Sequence, residues 1–254
     1  MEYIVREILE PTENELYGIC NLWSECFSDD IDFIKDFYRN MPVHSTVCCF
    51  FNDIPVSMAV LLDAGKGYYG YAVCTREDHR KKGLCRRIHD YIREKCESEQ
   101  REYFVHPATE DLCSYYKRMG MKESLSYYEV RTVSCDIADT FTVDPSEYSR
   151  IRELYFGGYS YYPWCDKALE NLVFHGLELR GAYIDGCECA AAVEGDTILE
   201  LCAPDYLYGK AACAFLYGRS TVGKVRFMSE ATPFDRTALM SFSGSYIYFN
   251  LFFE

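Results

Sequence analysis

Residues 73–88 read VCTREDHRKKGLCRRI, and this stretch decides the fold. Its pattern predicts the end of a strand, then a basic loop with one glycine, then the start of a long helix. The first turn of a helix binds phosphate because it has unpaired backbone N–H groups and the positive end of the helix dipole. Gly83 has no side chain to keep a phosphate from the backbone, and Arg80, Lys81 and Lys82 add positive charge. The stretch therefore predicts a pyrophosphate site.

Strands and helices are predicted on both sides of this loop. Before it, the sequence predicts helices at about 11–27 and 30–39 and strands at 46–51, 55–62 and 68–75. After it, the sequence predicts a long amphipathic helix, a strand at 103–105, a helix at 110–119 and a strand at 121–133.

The second half repeats this order without obvious sequence identity. Its predicted helices are 146–155, 166–174 and 206–217, its predicted strands are 178–184, 187–193, 197–201, 225–228 and 246–253, and 233–242 is predicted to be a loop with one helical turn. Asp185 and Gly186 are typical of a hairpin turn. We predict an α/β (α+β) protein of two similar units, each a mixed, mostly antiparallel sheet flanked by helices. The predicted domains are 1–133 and 134–254.

Bulk composition narrows the class of protein. The formal net charge of −14 disfavours binding to nucleic acid and to anionic membranes. Without a signal-peptide pattern or an apolar run of about 18 residues, the chain is expected to be cytoplasmic and to have no membrane partner. The 14 cysteines show no C-x-x-C spacing, so free thiols are expected and a metal site is not.

Residues 80–85, RKKGLC, resemble motif A of the GNAT (GCN5-related N-acetyltransferase) superfamily, which reads Arg/Gln-x-x-Gly-x-Gly/Ala. Cys85 departs from the family's last small residue. The resemblance implies an acetyl-CoA site, whereas the plain structural alternative is a solvated basic loop before an ordinary helix. The implied pantetheine contacts are Val73, Cys74 and Thr75, and the implied pyrophosphate contacts are Arg80, Lys81, Lys82, Gly83, Leu84, Cys85 and Arg86.

Residues 114–121, SYYKRMGM, resemble motif B of the same superfamily, often written Phe-Tyr-x-x-x-Gly-Phe. The resemblance implies that Tyr116 is the general acid that protonates the departing CoA thiolate. A phenol suits this step because its ordinary pKa of about 10 lies near that of a thiol. The neighbouring Tyr115 is an alternative candidate for the general acid. The structural alternative is that Tyr116 is a core aromatic residue without a catalytic role.

The resemblance implies an N-acetyltransferase in which a neutral primary amine attacks the acetyl carbonyl directly. Backbone amides of the strand at 68–75 would stabilise the oxyanion. Glu77, Asp78 and Glu110 are candidates for the general base, and none is singled out. Two other functions stay open: a CoA-binding regulator without catalysis, and an acyltransferase that uses a longer acyl-CoA.

The second half lacks a basic glycine loop before its helix, since residues 204–210 read PDYLYGK. We interpret it as a degenerate GNAT-like domain of a tandem protein, without a cofactor site. The acidity of the chain leads us to expect a cationic acceptor, either a small-molecule or a peptide amine. Residues 28–32, SDDID, and 159–164, YSYYPW, are candidates for binding it, with helix capping and packing between the domains as the alternatives. The oligomeric state is open, a homodimer included.

Overall fold

The structure is a computed structural model, and it describes residues 2–133, 139–158, 164–216, 222–229 and 236–244. These residues form two compact units. The first contains residues 2–122 and 239–244, and the second contains the remaining described residues. Each unit is a mixed sheet flanked by helices, which confirms the predicted fold class. Among the described residues, no helix is long and apolar enough to cross a membrane.

The first unit begins with a strand that the sequence analysis did not predict. Its elements are β1 Tyr3–Ile8, α1 Glu13–Phe27, α2 Ile31–Asn40, β2 Val43–Phe51, β3 Ile54–Asp63, β4 Gly67–Thr75, a 3-10 turn Glu77–His79, α3 Leu84–Glu99, β5 Glu102–Val105 and α4 Glu110–Arg118. Strands β1 to β4 pair antiparallel in chain order, and β4 pairs parallel with β5.

The last strand of the first unit's sheet comes from the far end of the sequence. Strand β12, Arg236–Ser241, pairs antiparallel with β5 through Met240 opposite Val105 and Ser241 opposite Phe104. The predicted loop at 233–242 is therefore wrong for β12. Its pairing partner lies more than a hundred residues away in sequence, so the local pattern did not reveal it.

After an additional first strand, the elements of the second unit repeat the order from β1 to β5, without a counterpart of α4 among the described residues. They are β6 Lys122–Val133, β7 Thr140–Thr142, α5 Pro145–Phe156, α6 Asp166–Phe174, β8 Glu178–Ile184, β9 Cys187–Glu194, β10 Thr197–Cys202, a 3-10 turn Asp205–Leu207, α7 Tyr208–Leu216 and β11 Val222–Ser229. The sheet order is β6-β11-β10-β9-β8-β7, with β10 and β11 parallel and the other pairs antiparallel. Asp185 and Gly186 both have positive φ, so the predicted hairpin turn is present.

The compact units differ from the predicted domains at two places, in the middle of the sequence and near its end. Strand β6 was assigned to the first domain, yet from Ser126 to Val133 it pairs with β11 and belongs to the second unit. Residues 239–244 were assigned to the second domain and lie in the first unit. The physical reason is the same in both places, because a strand belongs to the sheet it pairs with. The predicted strand at 246–253 lies outside the described residues.

Candidate functional site

Strand β4 has an edge without a strand partner. Gly67 to Gly70 pair with β5, and in the described chain no strand pairs with that edge from Tyr71 to Thr75. Residues 67–70 are buried, whereas 71–75 are half-exposed. Backbone N–H and C=O groups on such an edge need partners. Val73, Cys74 and Thr75, the predicted pantetheine contacts, therefore lie on an edge that can pair with an extended chain.

A β-bulge lies at the start of this free edge. Met58 of β3 faces Cys74 and Val60 faces Tyr71, so two residues of β4 oppose one residue of β3. Ala72, inside the bulge, has φ of 48°, a region that residues other than glycine rarely adopt. Such bulges re-aim the backbone and are common next to active sites. The sequence did not predict this bulge, because an alanine does not indicate a left-handed backbone conformation.

The predicted phosphate loop ends in an open helix N-terminus. Gly83 is the N-cap of α3 with φ of 77°, and no side chain caps the helix there. A side chain built on Gly83 would meet no atom within 4 Å, so the backbone is accessible. The first turn of α3 contains no acidic residue. The residues present therefore fit a bound pyrophosphate, both in accessible N–H groups and in charge.

The basic side chains around this terminus hold the loop in place. Arg80 Nε donates to the Thr75 carbonyl oxygen at 3.1 Å, which ties the loop to the free edge of β4. Lys82 Nζ donates to the Asp78 carbonyl oxygen at 2.8 Å. An Arg86 guanidinium nitrogen donates to the Arg118 carbonyl oxygen at 3.0 Å, which joins α3 to the end of α4. The side chain of Lys81 is exposed.

Two of the predicted pyrophosphate contacts point toward the protein interior. Leu84 is buried in the core of the first unit. Cys85 is half-buried, and its sulfur lies 3.6 Å from Nδ1 of His89. At Leu84 and Cys85, therefore, the backbone is suited to bind an anion and the side chain is not.

His89 is a buried residue that the sequence analysis missed. Its Nδ1 donates to the Cys85 carbonyl oxygen at 2.9 Å, so Nε2 carries no proton and accepts from the Tyr103 hydroxyl at 3.4 Å. Burial lowers the pKa of His89 to about 4, and the imidazole is therefore neutral at pH 7. The sequence did contain one indication of this position, because Cys85 and His89 are four residues, about one helical turn, apart.

Tyr116 lies on the buried side of α4. Its side chain is 4% exposed and packs in the core with its ring centroid 5.5 Å from that of His89. Burial, then the nearby Cys85, raise the pKa of the Tyr116 phenol well above its ordinary value. Tyr115 is half-buried, and burial, then the nearby Cys85, raise the pKa of its phenol. Both tyrosines therefore lie next to Cys85, and both hydroxyls are protonated at neutral pH.

None of the candidate general bases stands out. Glu77 and Glu110 are exposed. Asp78 accepts from Arg76 Nε at 2.8 Å, and this hydrogen bond lowers the pKa of Asp78 and makes it a weaker base.

The three aspartates of residues 28–32 have different surroundings. Asp30 caps α2 by accepting from the Asp32 backbone N–H at 2.7 Å, and the Asp32 carboxylate is exposed. Asp29 accepts from Trp23 Nε1 at 2.7 Å, and its charge raises the pKa of the nearby Tyr71 beyond the effect of burial. Asp29 therefore lies beside the free edge of β4. Of the second candidate segment, residues 159–163 lie outside the described residues.

In the second unit, the corresponding parallel strand carries a buried ionic group. A register shift lies between Ile198 and Glu200 of β10, as it does in β4. Glu200 is fully buried, and its Oε1 accepts from the Tyr148 hydroxyl at 2.6 Å and from Arg152 Nε at 2.8 Å. These three side chains connect β10 to α5. Among the described residues, no group of His, Cys, Asp and Glu could hold a metal ion.

The sequence model of the acetyltransferase (GNAT) family matches residues 4–121. No curated protein sequence matches the chain significantly.

Three solved structures show the same fold over nearly the whole chain. A probable N-acyltransferase of unknown function from Enterococcus faecalis V583 has a TM-score of 0.71 and 9% identity, and the match covers 95% of this chain and 72% of that one. A GCN5-related N-acetyltransferase from Anabaena variabilis has a TM-score of 0.69 and 12% identity, and the match covers 94% of this chain and 72% of that one. A tandem GNAT protein from the clavulanic acid biosynthesis pathway has a TM-score of 0.62 and 11% identity, and the match covers 94% of this chain and 98% of that one.

Identities this low establish the fold alone, so the family assignment depends on the first unit. That unit contains the matched residues, the free edge of β4 and the open N-terminus of α3. Residues 4–121 therefore belong to the acetyltransferase (GNAT) family, within a chain that has the fold of tandem GNAT proteins.

Proposed function

We propose that this protein is an N-acetyltransferase that binds acetyl-CoA on its first unit and transfers the acetyl group to a primary amine. One observation carries the proposal. The uncapped N-terminus of α3 and the unpaired end of β4 are joined by a single loop, and the Arg80 side chain ties that loop to Thr75. A diphosphate attached to a long amide-containing arm needs both features, namely N–H groups for the anion and a backbone edge for the amides.

Each predicted cofactor residue has a role in this arrangement. The backbone from Lys81 to Arg86 would hold the pyrophosphate, and the charges of Arg80, Lys81 and Lys82 would attract it. Val73, Cys74 and Thr75 would pair their backbone with the pantetheine arm. The bulge at Ala72 gives the backbone of β4 the local change of direction that an N–H donor to the acetyl oxygen needs.

Acetyl-CoA supplies an activated carbonyl and a thiolate leaving group. Tyr116 would donate the proton that the thiolate takes up, because its raised pKa keeps it protonated across the working pH range. Its neighbours His89 and Tyr103 are neutral, so no charge opposes this donation.

The acceptor is proposed to be a cationic amine, either a small molecule or a peptide. Asp29 is the carboxylate that lies beside the free edge of β4, next to the aromatic rings of Trp23 and Tyr71. A carboxylate and aromatic faces together favour an ammonium group. The amine must lose a proton before it attacks, and water or an acidic side chain would take it.

The proposal is tested by calorimetric titration of acetyl-CoA into the wild-type protein and the Gly83→Glu variant. The new carboxylate would repel the pyrophosphate, so we expect binding to weaken by at least about tenfold. Gly65→Glu is the matched control, since Gly65 also has positive φ, 67°, and open space around it, but lies in the turn between β3 and β4. Equal binding by wild type and Gly83→Glu, or binding by neither, would overturn the proposed cofactor site.

A further inference from the structure

The first residue of β1, Tyr3, contacts both ends of the predicted phosphate loop. Its hydroxyl lies 2.9 Å from Nδ1 of His79, in the 3-10 turn that precedes the loop. A guanidinium nitrogen of Arg87, the fourth residue of α3, donates to the Tyr3 carbonyl oxygen at 2.8 Å. Residues 80–86, the proposed pyrophosphate contacts, therefore lie between two residues that bond to the same residue of β1.

His79 is buried among aromatic rings of the first two strands. It is 5% exposed. Its ring packs edge-on against Tyr3, with the centroids 5.7 Å apart, and is tilted against Phe51 of β2, with the centroids 5.2 Å apart. The rings of Tyr3 and Phe51 also contact each other, at 5.0 Å. This packing fixes the orientation of the imidazole, so each ring nitrogen faces a defined partner.

The two partners of this imidazole decide where its proton lies. A guanidinium nitrogen of Arg76 lies 2.9 Å from Nε2 of His79. Because a guanidinium can only donate, Nε2 accepts this hydrogen bond and carries no proton. The proton of the neutral ring is therefore on Nδ1, which donates to the Tyr3 hydroxyl. One neutral tautomer of His79 thus satisfies both contacts, and it links β1 to the start of the phosphate loop.

A second proton on His79 would replace the hydrogen bond from Arg76 by a contact between two cations. Oδ2 of Asp78 lies 3.5 Å from Nε2, but Asp78 already accepts two hydrogen bonds from Arg76 and is mostly exposed. The facing residues of β1 and β2 contribute aromatic rings. Burial lowers the pKa of His79, and the charges of Lys82 and Arg76 lower it further against the opposing effect of Asp78. The imidazole is therefore neutral at pH 7 and gains its proton below about pH 6.5.

We propose that neutral His79 is a positioning residue of the acyl-CoA site, which fixes the phosphate loop to β1 and releases it on protonation, so that acyl-CoA binds more weakly in mildly acidic solution. The backbone N–H groups at the start of α3 bind a phosphate only within hydrogen-bond distance, so a displaced loop loses these contacts. The new charge on His79 has a smaller, opposite effect, because Arg80, Lys81 and Lys82 already supply charge there and salt screens a further cation. This role rests on the proposed function, whereas the tautomer of His79 does not.

The tautomer is tested by NMR of the full chain with nitrogen-15 in its histidines, without cofactor. The chain has five histidines, and the signals of His79 are identified by their loss in His79→Gln. At pH 7.5 we expect Nδ1 of His79 to be protonated and Nε2 to be unprotonated. A His79 ring that is protonated on Nε2 at this pH, alone or together with Nδ1, would overturn the inference.

The effect on the cofactor is measured by calorimetric titration of acetyl-CoA at pH 7.5 and pH 5.5. Glutamine at position 79 keeps one donor and one acceptor and does not titrate, so at pH 7.5 His79→Gln should bind within about threefold of wild type. His79→Leu keeps neither group and should bind at least about tenfold more weakly. Between pH 7.5 and 5.5, wild type should lose about three- to tenfold more affinity than His79→Gln. Ionisation of the cofactor's own phosphates affects both proteins alike.

His44→Gln is the matched control. His44 also lies beside a tyrosine hydroxyl, that of Tyr68 at 3.2 Å, but this hydroxyl bonds to Glu99 at the far end of α3. His44→Gln should therefore keep the pH dependence of wild type.

Three results would overturn the role of His79. They are equal affinities of wild type, His79→Gln and His79→Leu at both pH values, a wild-type affinity that rises relative to His79→Gln at pH 5.5, and, if His79→Leu does not fold, unchanged binding at pH 7.5 in Tyr3→Phe, which removes only the hydroxyl. Each of them leaves the proposed function intact, because wild type still binds acetyl-CoA. Failure of wild type to bind acetyl-CoA at pH 7.5 would refute the proposed function and with it this role, whatever the tautomer.

Discussion

Tyr115 and Tyr116 are adjacent on α4 and have different environments. Tyr116 is buried beside His89, while Tyr115 is half-exposed and lies near Cys85. If Tyr116 is the general acid, Tyr116→Phe should lower kcat by about 10²–10⁴-fold and leave the KM for acetyl-CoA nearly unchanged. The check is steady-state release of free thiol from acetyl-CoA, with amines screened as acceptors.

Tyr115→Phe is the matched control for this experiment. It removes one hydroxyl from the same helix and should change kcat by less than about tenfold. A large loss in Tyr115→Phe with little change in Tyr116→Phe would assign the acid to the other tyrosine. Because burial raises the pKa of Tyr116, its deprotonation should limit kcat only well above pH 10, the ordinary range of a phenol.

Helix α1 begins with a capping box that depends on a charge. Thr12 Oγ1 accepts from the Glu15 backbone N–H, and Glu15 Oε2 accepts from the Thr12 backbone N–H at 2.9 Å. The bonds from Thr12, followed by that from Arg6, lower the pKa of Glu15 to about 2. Because the pKa of Glu15 is lower in the folded than in the unfolded state, its ionised carboxylate stabilises the folded state above about pH 4.5. This stabilisation is lost as the pH falls toward 2.

Glu15→Gln should therefore destabilise the protein by about 0.5–1 kcal/mol at pH 7, a modest value because solvent screens this surface group. The difference from wild type should shrink as pH is lowered from 4.5 toward 2. Urea unfolding at pH 7 and pH 3 measures both values. Glu13→Gln, in the same first turn, is the control and should cost less at pH 7. A deficit of Glu15→Gln that stays constant down to pH 3 would contradict this account.

At the scale of the whole molecule, the end of the sequence completes the sheet of the N-terminal unit. Met240 of β12 is fully buried and packs in the same core cluster as Leu84, Ile88 and Tyr116. Met240→Ala should destabilise the first unit by about 2–5 kcal/mol, because it removes buried side-chain atoms and leaves a cavity. Hydrogen exchange should then speed up in β5 and α3, which precede the mutation by more than a hundred residues.

Leu216→Ala makes the matching change in the core cluster of the second unit. It should speed exchange in α7 and β10 and leave α3 protected. Faster exchange of α7 in Met240→Ala, with α3 unchanged, would place β12 in the second unit and contradict the described pairing with β5. The result also bears on how fragments are made, since a fragment that ends at residue 133 lacks β12.

The sequence by itself determined the local elements apart from β1, β7 and β12, and it indicated the type of site. Gly83 after a basic run identified the open N-terminus of α3, because glycine and positive charge act on the nearest backbone whatever the rest of the chain does. Helical periodicity located α1 to α4, and the Asp185–Gly186 pair located its turn, because these signals are complete within a few residues. The family resemblance drawn from residues 80–85 and 114–121 agrees with the match over 4–121.

Tertiary structure alone decided how distant segments pair. The places of β6 and β12 depend on partners far away in sequence, and strand pairing is set by burial and by the neighbouring strand rather than by local propensity. The bulge at Ala72 depends in the same way on how β4 pairs with β3. A sequence read along its length shows which groups are present, and only the fold decides which of them meet.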